Sequence, residues 1–177
     1  MGSLIHKHIL DAMKELARTT PKSGIIVEVG VYQGGSAVEL MGIAKERKQE
    51  LWLFDTFSGM PEAGPEDYHK VGDFSSCSYE AVCALLPEAR IFKGFFPATW
   101  HAIPEKKRIS FAHVDCDQYE SISQCVKIFK PLLLPGGVMW FDDYGYEWLP
   151  GAQKAVDENL PERVIHKYGR AYWRAPC

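Results

Sequence analysis

Long apolar runs are missing from this chain. None approaches the roughly 18 residues of a membrane span, and no basic, apolar signal sequence opens it. Cys-x-x-Cys pairs are missing too. The five cysteines (Cys77, Cys83, Cys116, Cys125, Cys177) are odd in number, which reads as free thiols in a reducing compartment rather than a disulfide framework or a zinc site. Charge of one sign is not in excess: 20 Lys and Arg against 23 Asp and Glu give a net −3 and a pI of about 6.1. Nucleic acid and anionic membrane surfaces are therefore not expected partners. No repeat or low-complexity tract interrupts the 177 residues. What remains is an ordinary cytoplasmic globular protein, 46% hydrophobic and 24% charged, long enough to bury a full core unaided. One domain over residues 1–177 is expected, with 1–23 as N-terminal helix and linker and 24–177 as core.

Two apolar runs end in acids. Ile109 to Val114 closes on Asp115-Cys116-Asp117, and Gly136 to Phe141 closes on Asp142-Asp143. Between them Ile122, Cys125, Val126, Phe129 and Leu133 recur at helical steps. Strand, helix, strand makes the two strands parallel and lays their C-terminal ends side by side, about 4.8 Å apart when adjacent. Two further apolar runs come earlier, Gly24 to Gly30 and Leu51 to Phe54, the second ending at Asp55. Arg90 to Lys93 is a short fifth strand, and Val164–Lys167 with Ala171–Arg174 forms a closing hairpin. Helices are expected over Leu4–Arg18, Ser36–Lys45, Tyr79–Leu86 and Gly145–Asn159. The first should cover an end or edge of the sheet, with His6 and His8 on the surface. This α/β order indicates a mostly parallel sheet with one antiparallel edge strand and helices on both faces. Thr56 to Phe74 has three glycines, two prolines and no period, the mark of a functional loop or lid. Phe95, Phe96 and Trp100 read as an aromatic turn belonging to the core.

The connection Glu28-Val29-Gly30-Val31-Tyr32-Gln33-Gly34-Gly35-Ser36 leads from the first strand into a helix. A P-loop needs four residues between its glycines and then a lysine, and neither is present. The dinucleotide fingerprint needs a glycine at position 32, which is Tyr32. An acid two residues before Gly-x-x-x-Gly is instead the pattern of an S-adenosylmethionine loop. That cofactor is cationic at its sulfonium and ammonium, and the N–H groups of a helix start can take its carboxylate. The plain alternative is a strand-to-helix turn with Ser36 near the cap. Asp55, about twenty residues beyond the glycines, is placed to accept the ribose hydroxyls, or else is a turn acid.

Each aspartate of the later cluster has a bland reading. Asp117 with Glu120 three residues on is a good capping pair. An EF-hand start fails at Tyr119 and at Glu120, where glycine is required. The set is harder to dismiss than its members, because carboxylates gathered at one sheet edge repel unless they share a cation. All-oxygen ligands suit Mg²⁺, Mn²⁺ or Ca²⁺ rather than zinc. His113 lies one pleat before Asp115 on its side.

The segments VEVGVYQGGSA, LFDTFSGMPE, GDF at Gly72–Phe74, KGFFPAT, HVDCDQYES and PGGVMWFDDYG together resemble the macrocin O-methyltransferase (TylF) family. The resemblance implies a Rossmann-like class I methyltransferase with a seven-stranded sheet, Mg²⁺-dependent and acting on a hydroxyl of a sugar or similar vicinal diol in antibiotic biosynthesis. It implies Asp115, Asp142 and Asp143 as metal ligands and Asp117 as general base. It also implies a cofactor site at Glu28, Gly30, Tyr32, Gly34, Ser36, Asp55, Thr56, Asp73, Phe74 and Asp115, and admits a homo-oligomer. Catechol methyltransferases, similar in fold, place a lysine base where this chain has Gln118. Family enzymes carry a longer N-terminal portion, where this chain has one helix before its first strand. Two rivals follow from the residues alone: a metal-dependent glycosyltransferase using Asp115-x-Asp117 on a nucleotide sugar, and a non-catalytic domain that only binds S-adenosylmethionine.

Overall fold

The computed structural model describes residues 4–160 and 164–177. In chain order the elements are α1 (Lys7–Arg18), β1 (Ile25–Val29), α2 (Gly35–Arg47), β2 (Leu51–Asp55), α3 (Tyr79–Leu85), β3 (Arg90–Lys93), α4 (Ala98–His101), β4 (Ile109–Val114), α5 (Tyr119–Phe129), β5 (Leu133–Phe141), α6 (Pro150–Asn159), β6 (Val164–Lys167) and β7 (Arg170–Arg174). They form a seven-stranded sheet in the order β3-β2-β1-β4-β5-β7-β6. All pairs from β3 to β5 are parallel, and β7 alone runs antiparallel to both of its neighbours. The expected sheet, with its antiparallel strand at one side, is present.

Side-chain alternation explains why the central strands read as continuous apolar runs. Val27, Val29, Trp52, Phe54, Ala112, Val114, Met139 and Phe141 point to one face. There they pack with Ile122, Cys125, Val126 and Phe129 of α5 and Ala152, Ala155 and Val156 of α6. Ile26, Leu51, Leu53, Phe111, Val138 and Trp140 point to the other, under α1 and α2. A strand covered on both sides buries both of its alternating sets, so both are apolar except where Glu28 of β1 and His113 of β4 lie side by side. Of the aromatic turn, Phe96 and Trp100 are core as expected, with Trp100 5.6 Å from Phe54 and 5.3 Å from Phe129, ring to ring, but Phe95 is 46% exposed and is not.

Besides the last helix, which begins at Pro150 rather than Gly145, two local expectations are corrected. α1 begins at Lys7, not Leu4, and its buried stripe of Ile9, Leu10, Ala12, Met13, Leu16 and Ala17 lies on a face of the sheet rather than on an end or edge. The apolar stripe is wide enough to reward burial against α2 and the strands, which an edge position would not supply. The second concerns α5. Asp117 does not cap it; its N-cap residue is Gln118, without a side-chain cap, and the Tyr119 N–H donates to Asp67 Oδ1 at 2.7 Å instead.

Candidate active site

Across the sheet β2 ends at Asp55, and β1, β4 and β5 are followed directly by Gly30, Asp115 and Asp142. Backbone bonds continue the ladder past each end: Gly30 N–H to Phe54 O (3.0 Å), Asp115 N–H to Val29 O (2.9 Å), and Asp142 N–H to Val114 O (3.0 Å). The acids are thus held by the sheet itself. They open on a cleft of about 320 Å³, whose wall also includes Tyr32, Thr56, His69, Phe74, Asp117, Asp143, Tyr146 and Trp148. Gly30 is required for this closeness. Its φ is +89°, and a Cβ there would lie 1.6 Å from the Asp115 carbonyl oxygen.

On the β1–β2 side, the Asp55 carboxylate accepts from the N–H groups of Val31 (2.7 Å) and Tyr32 (2.8 Å) through Oδ2 and of Phe57 (2.7 Å) through Oδ1. Three of its roughly four lone-pair positions are therefore occupied by backbone, leaving one toward the cleft. Tyr32 and Phe74, which meet edge to face at 5.7 Å, both hold left-handed backbone at φ +50° and +60°. Asp117 does the same at +59°. Non-glycine residues in that region cost about 1–3 kcal/mol each and gather at functional clefts.

Four of the sequence candidates do not line the cleft: Glu28, Gly34, Ser36 and Asp73. Gly34 serves as the left-handed N-cap of α2. Asp73 accepts from the Lys70 N–H at 2.9 Å. Glu28 is fully buried behind the cleft, its Oε1 accepting from Ser36 Oγ (2.5 Å) and facing His113 Nδ1 (2.8 Å). The adjacent strands bring it there, since Glu28 and His113 are register partners. His113 Nε2, also buried, lies 4.0 Å from both Asp115 Oδ2 and Asp142 Oδ1.

The acids are crowded and unequal. Burial, then the charges of Asp142 and its neighbours, pushes Asp115 well above the usual carboxylate range. Burial, then Asp117 and Asp142, does the same to Asp143. Asp117 is raised to about 7 by burial and by the Asp115 charge. Asp142 goes the other way, because the His113 imidazole and the Arg170 guanidinium outweigh its burial. Among the described residues no three His, Cys, Asp or Glu side chains are arranged to hold a metal ion. What the cluster offers is a set of hard oxygen donors whose burial and mutual repulsion raise the proton affinity of Asp115, Asp117 and Asp143.

The Asp117 backbone N–H donates to Asp143 Oδ2 at 2.8 Å, and its Oδ1 stands 3.5 Å from His69 Nε2. Sequence reasoning missed His69, Asp67 and Arg170. They come from the irregular loop and from the hairpin, and no spacing links them to the acids. Only His113 carried a signal, its place one pleat before Asp115.

Comparison with known proteins was made against families, curated relatives and solved structures. A family model described as macrocin-O-methyltransferase (TylF) matches residues 2–168. The 8-demethyl-8-(2,3-dimethoxy-alpha-L-rhamnosyl)-tetracenomycin-C 4'-O-methyltransferase of Streptomyces olivaceus is 27% identical over 159 residues, 78% of this chain and 60% of its own length. Demethyldecarbamoylnovobiocin O-methyltransferase of Streptomyces niveus is 29% identical over 153 residues, 76% of this chain and 57% of its own. The chain thus spans well under two thirds of these two relatives. Among solved structures, the O-methyltransferase NovP superposes with a TM-score of 0.83 at 23% identity, covering 99% of this chain and 82% of that one. The calicheamicin methyltransferase CalS11 gives 0.80 at 20% identity, covering 96% and 80%. Both share the fold.

Proposed function

The chain belongs to the macrocin-O-methyltransferase (TylF) family, and from that premise we propose that it moves a methyl group from S-adenosylmethionine to a hydroxyl of a sugar or similar vicinal-diol small molecule. The observation that carries this reading is the division of one cleft into two halves. Asp55 and the glycine turn line the β2–β1 half, and Asp115, Asp117, Asp142 and Asp143 line the β4–β5 half. A cationic donor with a ribose suits the first half, and a diol that must lose a proton suits the second. The named relatives support the acceptor class, since one is named for a rhamnosyl-bearing tetracenomycin and another for demethyldecarbamoylnovobiocin. Family membership also sets aside the nucleotide-sugar glycosyltransferase.

In this proposal Gly30, Tyr32, Thr56 and Phe74 contact the cofactor, and the free lone pair of Asp55 accepts one ribose hydroxyl. Glu28, Gly34 and Ser36 act behind them, fixing the turn and the helix start. Asp115, Asp142 and Asp143 would hold a divalent cation, Mg²⁺ or its relatives Mn²⁺ and Ca²⁺, as their oxygen donors and surplus negative charge favour. Such an ion, when bound, lowers the pKa of a hydroxyl it touches. Asp117 takes the proton of the reacting hydroxyl. Its pKa of about 7 lies near working pH, where a base combines ionisation with proton affinity. His69 keeps its carboxylate turned to the cleft.

Asp117→Asn tests the base. Formation of S-adenosylhomocysteine from a panel of pyranosides should fall about 10²–10⁴-fold, while calorimetry finds cofactor affinity unchanged. Full activity in the variant would remove Asp117 from the mechanism.

A further inference from the structure

Two exposed aromatic side chains of the cleft, Phe95 and Trp148, are left without a task, and Trp148 is the larger. Trp148 is 55% exposed, whereas Trp52, Trp100 and Trp140 are at 2% or less and Trp173 at 8%. The exposure is not looseness. Leu149 beside it is buried, and its N–H closes a turn on the Tyr146 carbonyl at 3.0 Å. Tyr144 on the other side is buried, with its hydroxyl donating to Asp157 Oδ1 at 3.0 Å. Trp148 stacks on Tyr146 at 4.6 Å with 30° between the rings. Tyr146 in turn lies under the Arg170 guanidinium at 3.8 Å, and Arg170 Nε is 3.7 Å from Asp142 Oδ2. A continuous column therefore runs from a cleft carboxylate through a buried arginine and a tyrosine to one outward-facing indole.

The strand order says which ligand meets that indole. Trp148 follows β5, and β5 is separated from β2 and Asp55 by β4 and β1. The aromatic residues on the donor side are different ones: Tyr32 and Phe74, which pack on each other, and Phe95 and Phe96 after β3. Given the methyl-transfer reading above, we infer that Trp148 is the acceptor platform: its open face stacks on the apolar C–H face of a pyranose ring whose vicinal hydroxyls reach the aspartates. Aromatic faces bind rings by area and by electrostatics of the π-system. A rigid exposed tryptophan loses little side-chain freedom when it does so.

Trp148 also reports on itself. It is the one tryptophan of the five within reach of an aqueous quencher. With S-adenosylhomocysteine and Mg²⁺ present throughout, iodide should quench part of the tryptophan emission. Methyl α-L-rhamnopyranoside should protect that part, and 1,2-propanediol, a diol without a ring, should not. Trp148→Phe should lose the quenchable component and, keeping a smaller ring, show a rhamnoside KM between those of the parent and Trp148→Ala. Trp148→Ala should raise its KM about tenfold with kcat little changed, the size of a lost ring stack. The inference is overturned if iodide reaches no tryptophan, if the rhamnoside gives no protection, or if propanediol protects as well. Cofactor calorimetry separates the two readings. Cofactor binding and rhamnoside turnover without protection would sink the platform alone, and protection without cofactor binding would sink the methyltransferase alone.

Discussion

Glu28 and His113 face each other at 2.8 Å with no solvent around either. Oε2 of the glutamate and Nε2 of the histidine have no hydrogen-bond partner among the described residues. Burial lowers the tendency of the imidazole to hold a proton, but Asp142 and Glu28 more than reverse this and raise it well above its usual value. Such a pair is weak evidence of net stabilisation, but breaking it exposes the survivor to the full cost of an uncompensated buried charge. His113→Ala is therefore expected to lose about 3–5 kcal/mol in urea unfolding. Glu28→Met combined with His113→Leu should regain much of that, because an apolar pair of similar volume needs no partner. If the losses of the single variants Glu28→Met and His113→Leu simply added in the double, the coupling would be refuted. The sequence pointed to Glu28 as a cofactor contact because it precedes the glycine turn. It could not show that the side chain turns inward, since that depends on which strand becomes the neighbour of β1.

At the scale of elements, the loop between β2 and α3 was legible as functional and opaque in its anchoring. Its length and lack of period read as a functional loop or lid, and Thr56, Met60, His69 and Phe74 line the cleft. Its fastening is tertiary. Asp67 Oδ1 caps α5 at the Tyr119 N–H, while Oδ2 accepts from its own loop at Gly64 (2.8 Å). The local pattern favoured Asp117 for that cap, and the competition was decided by a residue 52 positions away. Freed from capping, Asp117 can face the cleft. Asp67→Ala should thus act twice. It should cost about 1 kcal/mol, as lost N-caps do, and it should speed proteolytic nicking of the loop, whose backbone loses its tie to α5. A variant as stable and as resistant as the parent would show that the anchor lies elsewhere.

For the whole molecule, the strand ends were the most legible feature, because parallel strands covered on both faces must deliver their terminal acids to one edge. What that edge holds is a matter of charge balance. With no cation, Asp115, Asp143 and Asp117 all have folded pKa values above the unfolded value of 3.8, Asp117 at about 7. Over that window the folded state keeps protons the unfolded state has released, so its stability falls as pH rises from about 4 toward 7 and beyond. A cation does the protons' work only once they are gone. Added Mg²⁺ should accordingly change the melting temperature little at about pH 5 and most at about pH 8, where the carboxylates are ionised. At a hundredfold excess over Kd the gain is about 2.7 kcal/mol, roughly 5–11 °C for a domain of this size. EDTA should reverse it. Asp143→Asn, which removes one charge from the crowd, should melt at or above the parent's temperature without metal and respond weakly to Mg²⁺. Identical melting of the parent at about pH 8 with Mg²⁺, Mn²⁺, Ca²⁺ or EDTA would mean that the aspartates relieve their repulsion by protons alone and that no metal site exists here.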